Sequence, residues 1–411
     1  MPTRLLLFYF GAACATAQTE RLTLDDAIRL AWTNDPSVAA LTLTPELARA
    51  REEQAGLRPN PEVEFRGFVP AKGDSEWAVG VGLNQRLPRR DRVEQARALA
   101  RLGGATAQLQ VREQRRHVAG EVRRLYYEAA IQQTRRDIAR RTVDVQRELR
   151  ASLEKRRDAG EIATIEIDLL SSEVIRTEQA LAFADADLAA ITQKLRARLR
   201  FPADAPLTIH AGLDLILSRP IPGDSAGLDS RPALALAAHN VRVAEAALAL
   251  ARTETRSDWT VGGGVDFERR ANDFTRKLEH EPRLSVRATV AWPRAVANRG
   301  DIREKQAAVK IAEAELAALR NELSAEIGAA TATVRALQPV LSAHKASLTP
   351  GPAIPESLRA AHERGEVTGL QLVQTRQQRF ALETDFLNAA ARYAAALAEA
   401  ETAAGVIPTQ R

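Results

Sequence analysis

The stretch that decides the fold is Trp77-Ala78-Val79-Gly80-Val81-Gly82-Leu83-Asn84, the body of a segment running from Trp77 to Leu87. Its odd positions are apolar and its even positions small or polar, the period of a strand with one apolar face. Trp259–Glu268 repeats the pattern, setting Trp259, Val261, Val265 and Phe267 against Thr260, Asp266 and Glu268. Arg283–Trp292 sets Leu284, Val286, Ala288, Val290 and Trp292 against Arg283, Ser285, Arg287 and Thr289. Glu62–Val69 is rougher, with Val63, Phe65 and Val69 opposite Glu62, Glu64 and Arg66. Strands of about ten residues with aromatics near their ends suit a bilayer crossing by β-structure. A single hairpin of this kind fits a soluble domain equally well, but the rest of the chain offers no other sheet to join. Two hairpins cannot close a barrel, and open edges are not tolerated in lipid, so a crossing requires several copies to pool their strands. Three chains would give twelve strands and a channel, whereas two would give eight and a filled interior. The loops at Pro70–Glu76 and Arg269–Pro282 would then face outside.

Around these strands the chain reads as helix. A segment from Leu22 to Leu57 has Thr23 or Asp25 as its cap, interruptions at Asn34-Asp35-Pro36 and Thr44-Pro45-Glu46, and an end at Arg58-Pro59-Asn60-Pro61. Pro88 closes the second strand, and a proline-free run follows from Arg90 to Asp158. As one helix this run is about 100 Å long, which suits a coiled or barrel-like helical assembly rather than a globular domain. Its apolar positions recur at Val118, Val122, Leu125 and Ala129, and again at Val145, Leu149 and Leu153. Gly160-Glu161 turns the chain into a returning helix from Ile162 to Arg200, and the non-periodic Phe201–Ser230 holds a short helix at Gly212–Leu217.

Then the pattern restarts. A helix from Pro232 to Arg256 leads into the third and fourth strands, and Pro293 stands 205 residues after Pro88. Helix resumes at Asn298, with Leu316, Leu319, Leu323, Ile327, Ala330, Val334 and Leu337 on one stripe. Gly365-Glu366 matches Gly160-Glu161 at the same offset, and a last helix over Leu370–Ala403 carries Leu382, Phe386, Ala389, Tyr393 and Leu397. The ordered series marks an internal duplication. The first repeat is 18–228, with strands 62–69 and 77–87, helical hairpin 90–200 and connector 201–228. The second is 229–411, with strands 259–268 and 283–292 and helical hairpin 295–403. One difference separates the copies: Thr134–Arg150 contains no proline, whereas its counterpart holds Pro339, Pro350, Pro352 and Pro355 with Gly351. The second long helix is therefore predicted to bend or break over Pro339–Pro355, as a hinge or as a static bulge.

Residues 1–17 read as an export signal, with Arg4, the apolar run Leu5–Phe10 and the cleavage-site pattern Ala15-Thr16-Ala17. The one cysteine, Cys14, lies inside it, and Gly11-Ala12-Ala13-Cys14 also looks like a lipoprotein box, which makes Cys14 a possible lipidation site. The chain is 45% apolar, only 4% aromatic and 27% charged, with a net charge of +5, which favours closely packed helices and does not single out nucleic acid. The six histidines are scattered without metal-ligand spacing. Gly262-Gly263-Gly264 lacks the strand-to-helix context of a nucleotide loop and fits a barrel wall where a side chain would crowd its surroundings. No catalytic, cofactor or metal site is expected. The competing class is a periplasmic coiled-coil adaptor or scaffold, which would carry a compact soluble β-domain of several strands and need no detergent.

Leu22-Thr23-Leu24-Asp25-Asp26-Ala27, Asn34-Asp35-Pro36, Arg58-Pro59-Asn60-Pro61, the glycines at 160 and 365, and Asn298-Arg299-Gly300 after Trp292-Pro293 occur in an order similar to that of a known family. Over nearly all of its mature length the chain resembles the TolC-like outer-membrane efflux proteins, and within them the CzcC-type heavy-metal branch. The resemblance implies a mainly α protein with a transmembrane β-barrel contribution: a homotrimer with a 12-stranded barrel in the outer membrane and a periplasmic α-helical tunnel. It implies the channel component of a tripartite efflux system, conducting divalent metal cations or other small solutes from periplasm to exterior. The partners would be a periplasmic membrane-fusion adaptor and an inner-membrane pump of the resistance–nodulation–division (RND) type, with no cofactor. A type I secretion or drug-efflux conduit is the alternative. Candidate tunnel-tip and adaptor-contact positions are Gly160, Glu161, Ile162 and Glu166 in the first copy, and Gly365, Glu366, Val367, Gln371 and Gln374 in the second. The family's tip aspartates fall at Gln371 and Gln374, which removes an acidic ring there and leaves Glu166 to supply part of the acidic character. Trp77, Trp259 and Trp292 are the expected girdle against outer-membrane lipids.

Overall fold

The structure, a computed structural model, describes residues 22–68, 76–160, 164–202, 207–209, 212–223, 227–229, 231–271, 277–291, 298–347, 360–361, 364 and 366–405. The expected signal at 1–17 with Cys14, residues 70–75 of the first loop, Glu161, Ile162, Trp292, the prolines at 350, 352 and 355, and Gly365 lie outside these residues.

The interrupted first segment resolves into α1 (Leu24–Asn34), α2 (Pro36–Thr42) and α3 (Thr44–Ala55). Thr23 caps α1 by accepting from the Asp26 backbone N–H at 3.3 Å, and Asp25 and Asp26 favour the positive end of the helix. Strands β1 (Glu62–Phe68) and β2 (Trp77–Leu87) follow, then α4 (Arg90–Asp158), α5 (Thr164–Leu199) and the short α6 (Leu213–Leu217). The order begins again with α7 (Pro232–Thr253), β3 (Trp259–Ala271), β4 (Leu278–Val290), α8 (Arg299–Ser347) and α9 (Gly369–Ala403).

Two compact units are present, and each takes segments from both sides of residue 228. One comprises Met1–Pro36, Arg115–Gly227 and Ser324–Arg411. Its core is built from the expected stripes: Val118, Val122, Leu125 and Ala129 are buried, as are Ile327, Ala330, Val334, Phe386, Tyr393 and Leu397. The α1 segment is tied down by Trp32, whose indole donates to the Arg115 carbonyl at 2.8 Å, by Asn34 donating to the Leu199 carbonyl at 3.0 Å, and by the Arg198–Asp35 ion pair.

The other unit comprises Ser37–Gln114 and Leu228–Leu323. Its centre is one antiparallel sheet in the order β1-β2-β3-β4, so the two hairpins join through β2 and β3. Where β2 ends and α4 begins, Asp258 is buried among basic partners. It meets Arg86 at 3.0 Å and Arg92 at 2.9 Å, and it accepts from the Arg89 N–H at 3.1 Å. The basic run Arg89–Arg92 is thus neutralised locally by Asp91, Asp258 and Glu254.

Three expectations are corrected or refined. The second hairpin is longer than its alternation indicated: β3 runs to Ala271 and β4 starts at Leu278 and ends at Val290, so most of Arg269–Pro282 is ladder rather than loop. Pro282 sits opposite Phe267 in an edge strand of this sheet, where a missing donor is tolerated. Second, the bend or break expected over Pro339–Pro355 does not fall at Pro339 itself: α8 passes through it and ends at Ser347, inside that stretch. One proline removes one hydrogen bond from a 49-residue helix, and the buried Leu341 holds the following turn in place. Third, Leu382 is exposed; its neighbour Glu383 turns inward instead, towards Arg376.

Candidate functional site

The sheet presents two chemically opposite faces, because neighbouring residues in register share a side. On one face the rows are Val63–Leu83–Gly263–Val286 and Phe65–Val81–Val265–Leu284, followed by Gly67–Val79–Phe267–Pro282. This apolar face is open: Phe65 is 82% exposed, Leu284 85% and Val286 92%. An uncovered apolar sheet of this extent is a surface awaiting an apolar environment. Trp77 and Trp259 stand at its two ends, Trp77 opposite Arg269 and Trp259 opposite Leu87.

The other face is polar, and four glycines pave its middle. Its rows are Glu62–Asn84–Gly262–Arg287, Glu64–Gly82–Gly264–Ser285 and Arg66–Gly80–Asp266–Arg283. Where the two central strands carry glycine, at 80, 82, 262 and 264, the side chains of the edge strands lie down across them. Arg66 of β1 reaches Asp266 of β3 at 3.3 Å and donates to the Ser285 hydroxyl of β4 at 3.3 Å. From the opposite edge, Arg287 reaches Glu64 at 3.5 Å, and Asn84 donates to the same carboxylate at 2.9 Å. The space is fully used. A Cβ on Gly80 would stand 1.9 Å from Asp266 Oδ1, one on Gly262 2.0 Å from Asn84 Oδ1, and one on Gly264 2.4 Å from Arg66 Nη2. The reading of Gly262-Gly263-Gly264 as a wall where a side chain would crowd holds for Gly262 and Gly264; Gly263 lies on the apolar face with room beside it.

The helix-turn positions lie in the other unit. Gly160 follows α4 with φ +79° and its N–H donates to the Arg157 carbonyl at 2.8 Å. Its missing Cβ would meet nothing within 4 Å, so the glycine serves the left-handed backbone rather than a close approach. Gly160→Val should therefore destabilise the turn by about 1–2 kcal/mol. Faster amide hydrogen exchange in the last turn of α4 is the expected readout, and unchanged exchange there would refute the turn's dependence on glycine. Glu366 is exposed and pairs with Arg364 at 2.7 Å, which holds its carboxyl below the usual range. Val367 is half-buried. Gln371 forms a capping box with Thr368, its side chain accepting from the Thr368 N–H at 3.0 Å. Gln374 is exposed, and the backbone at 166 lies in α5.

Val373 packs with Leu153, Ile167, Leu170 and Val174, which brings the start of α9 against the α4–α5 hairpin. A set of buried polar residues that sequence reading missed fastens the same contact. Arg376 hydrogen-bonds Thr142 of α4 and faces Glu383 at 3.7 Å, while Gln377 donates to Glu173 of α5 at 2.8 Å. Further along α9, Glu401 gathers Arg123 at 2.9 Å, Arg219 at 2.6 Å and the Tyr127 hydroxyl at 2.8 Å. Burial pushes the Tyr127 phenol up and lowers Arg123, the latter opposed by Glu401. The missed signal was spacing: Glu401 follows Leu397 by four residues and Arg123 follows Ala119 by four, charged positions in register with apolar stripes. Among the described residues, no group of three or more His, Cys, Asp or Glu is placed to hold a metal ion.

No family model matches the sequence, and no curated protein matches it. Solved structures do. That of CusC, described with conformational changes accompanying folding and transmembrane channel formation, matches with a TM-score of 0.73 at 17% identity, covering 93% of this chain and 91% of that one. The open state of the Neisseria gonorrhoeae MtrE outer membrane channel matches at 0.70 and 17%, over 93% and 88% of the two chains. The Campylobacter jejuni CmeC outer membrane channel matches at 0.67 and 12%, over 93% and 85%. At these identities the likeness is one of fold: the chain is folded as a subunit of such channels is.

Proposed function

We propose that this chain is the outer-membrane channel subunit of a tripartite efflux system of the TolC-like family. The observation that carries the reading is the span of the open apolar face. Trp77 and the Trp259 partner Leu87 bound an 11-residue strand. Ten steps along it are about 34 Å, or about 26 Å along a membrane normal at a tilt of about 40°, which matches the apolar band of an outer-membrane barrel. Both sheet edges, β1 and β4, are strands with one neighbour each in the chain. Three copies joined edge to edge satisfy these ladders and close twelve strands, with the glycine-paved polar face inward. The helical hairpins form the periplasmic tunnel, and the Gly160 and Gly365 turns with Glu161, Ile162, Glu166, Glu366, Val367, Gln371 and Gln374 meet a membrane-fusion adaptor linked to an RND-type pump. The cargo is divalent metal cations or other small solutes, as the resemblance to the CzcC-type branch implies. The chain performs no chemistry of its own.

Crosslinking and mass measurement of the detergent-extracted protein should give a trimer. A stable monomer or dimer as the functional species would overturn the assembly, and extraction without detergent would favour a soluble scaffold. For the cargo, a deletion strain should become sensitive to divalent metals; sensitivity to drugs alone would replace the metal reading.

A further inference from the structure

In the unit that holds the sheet, α3, α4, α7 and the first part of α8 follow one another in the same order as the strands. Arg101 of α4 reaches Glu52 of α3 at 2.9 Å, and His239 of α7 lies 2.9 Å from the Leu102 carbonyl of α4. Arg320 of α8 reaches Asp229, just ahead of α7, at 3.3 Å. The two helices at the ends of this order each turn an exposed row away from it. Along α3 and the residue on either side of its ends the row is Leu43, Leu47, Ala50, Gln54 and Leu57, its three leucines each more than half exposed. Along α8 it is Ala307, Ile311, Ala314, Ala318 and Asn321, Ile311 also more than half exposed. Both rows step by four, three, four and three, the spacing of a coiled-coil seam, and both are about 21 Å long. One row offers leucines and the other mostly alanines, knobs for shallow holes.

We propose that the α3 row of one copy packs against the α8 row of the next as an antiparallel two-helix seam. The proposal rests on the trimeric channel reading above and assigns the helices that join its copies. The charges beside the rows carry it. On α3, Glu46 and Glu53 stand one residue before Leu47 and Gln54; on α8, Arg303 and Lys310 hold the same flank, Lys310 one residue before Ile311. Each pair is spaced by seven residues, so both follow the seam. On the other flank stand Arg51 of α3 and Glu315 and Glu322 of α8. All seven side chains are exposed, and among the described residues none has an ion-pair or hydrogen-bond partner in its own chain. In an antiparallel seam equivalent flanks meet, which sets Glu46 and Glu53 against Lys310 and Arg303, and Arg51 on the side of Glu315 and Glu322. A parallel seam would set acids against acids. Two α3 rows, or two α8 rows, would likewise meet charge for like charge, which disfavours a two-fold dimer through either helix. The contact is therefore head-to-tail, the kind that closes a ring. Its direction agrees with the sheet: α3 leads into β1 and α8 leaves β4, so joining β4 to the next copy's β1 brings these helices together antiparallel.

The test uses the full-length protein extracted in detergent. A benzophenone-bearing residue in place of Leu47, activated by light, should link to peptides within 303–322 and give bands of dimer and trimer mass. Glu46→Lys with Glu53→Lys should lower the temperature at which the trimer dissociates on semi-native electrophoresis by several degrees. Adding Arg303→Glu with Lys310→Glu to the same chain should restore it, whereas Arg49→Glu, exposed on α3 but off the flank, should leave it unchanged. A trimer whose label links only within its own chain, or only to a different protein, would overturn the proposal and leave the channel reading standing. So would an unchanged dissociation temperature in the first variant, or no recovery in the reversed one. Should the first variant assemble too poorly to be measured, return of the trimer in the reversed chain decides the matter. A wild-type protein that forms no trimer would overturn the channel reading and this proposal together.

Discussion

Gly264→Val should nearly eliminate assembled trimer, although valine is the better strand former. By intrinsic preference the change gains a few tenths of a kcal/mol in a strand. The sheet reverses the sign. A Cβ at 264 would lie 2.4 Å from Arg66 Nη2 and 2.9 Å from the Val81 carbonyl oxygen. The arginine can swing away, but the carbonyl belongs to the β2 backbone and moves only if the ladder opens. Overpacking of this kind costs about 1–3 kcal/mol per copy, and in the proposed assembly three copies share one barrel, so the loss accumulates there. Displacing Arg66 also removes its contacts to Asp266 and Ser285, which tie one edge strand to the far side of the sheet. Gly263→Val is the matched control. It lies one residue away on the apolar face, where a Cβ would meet only the Ser285 carbonyl oxygen at 3.5 Å, an ordinary contact. Semi-native electrophoresis should show trimer for Gly263→Val and little for Gly264→Val. Equal behaviour of the two would mean that the glycines are not needed as a floor.

Glu401→Ala should destabilise the helical unit by about 3–5 kcal/mol, the usual consequence of leaving a buried charge without its partner. Arg123 and Glu401 are each 2% exposed, and the carboxylate also takes Arg219 and the Tyr127 hydroxyl. Truncation strands Arg123, unties the segment that carries Arg219, and leaves a buried phenol short of an acceptor. The loss comes from stranded groups rather than from the worth of the pair. Arg123→Met combined with Glu401→Leu should therefore recover a large part of it, since an apolar pair of similar volume needs no desolvation. Urea titration of the detergent-solubilised protein, followed by helix signal, measures both. A Glu401→Ala loss under about 1 kcal/mol would show that water reaches the cluster.

Much of this was legible in the sequence because the chain is built from long periodic elements. The limits of α4, Arg90–Asp158, coincide with the proline-free run, and β2 coincides with its alternation. Reading failed where both faces of an element are wet. Around Arg269-Arg270 and Glu279-His280-Glu281 charges occupy both sides of the hairpin, so alternation disappears although the ladder continues to Ala271 and Leu278. It failed again where a charge occupies a core position: Arg376 and Glu401 look like solvated residues until their register with Leu372 and Leu397 is noticed. The capping box at Thr368 and Gln371 was readable from spacing, and it explains why a glutamine suits that position whatever else it contacts. Pro339 by itself does not end α8, whose 49 residues carry it, and the helix stops at Ser347 before the remaining prolines of the stretch.

The Glu401 cluster also fixes a timetable. Tyr127 and Glu401 are 274 residues apart, and the central pairing of the sheet joins Asn84 to Gly262. A ribosome or a translocation pore delivers the N-terminal partners first; it must deliver the chain to Leu323 before the sheet unit can close and almost all of it before the helical unit can. Through that interval the apolar strands are exposed with unpaired edges, the condition in which chains with such distant contacts aggregate. Survival then depends on holding factors that keep the early half from associating with its neighbours. A product cut short before residue 401 would be not a slightly weakened protein but one whose first half never receives its closing partner, and quality control would meet it as unfolded chain.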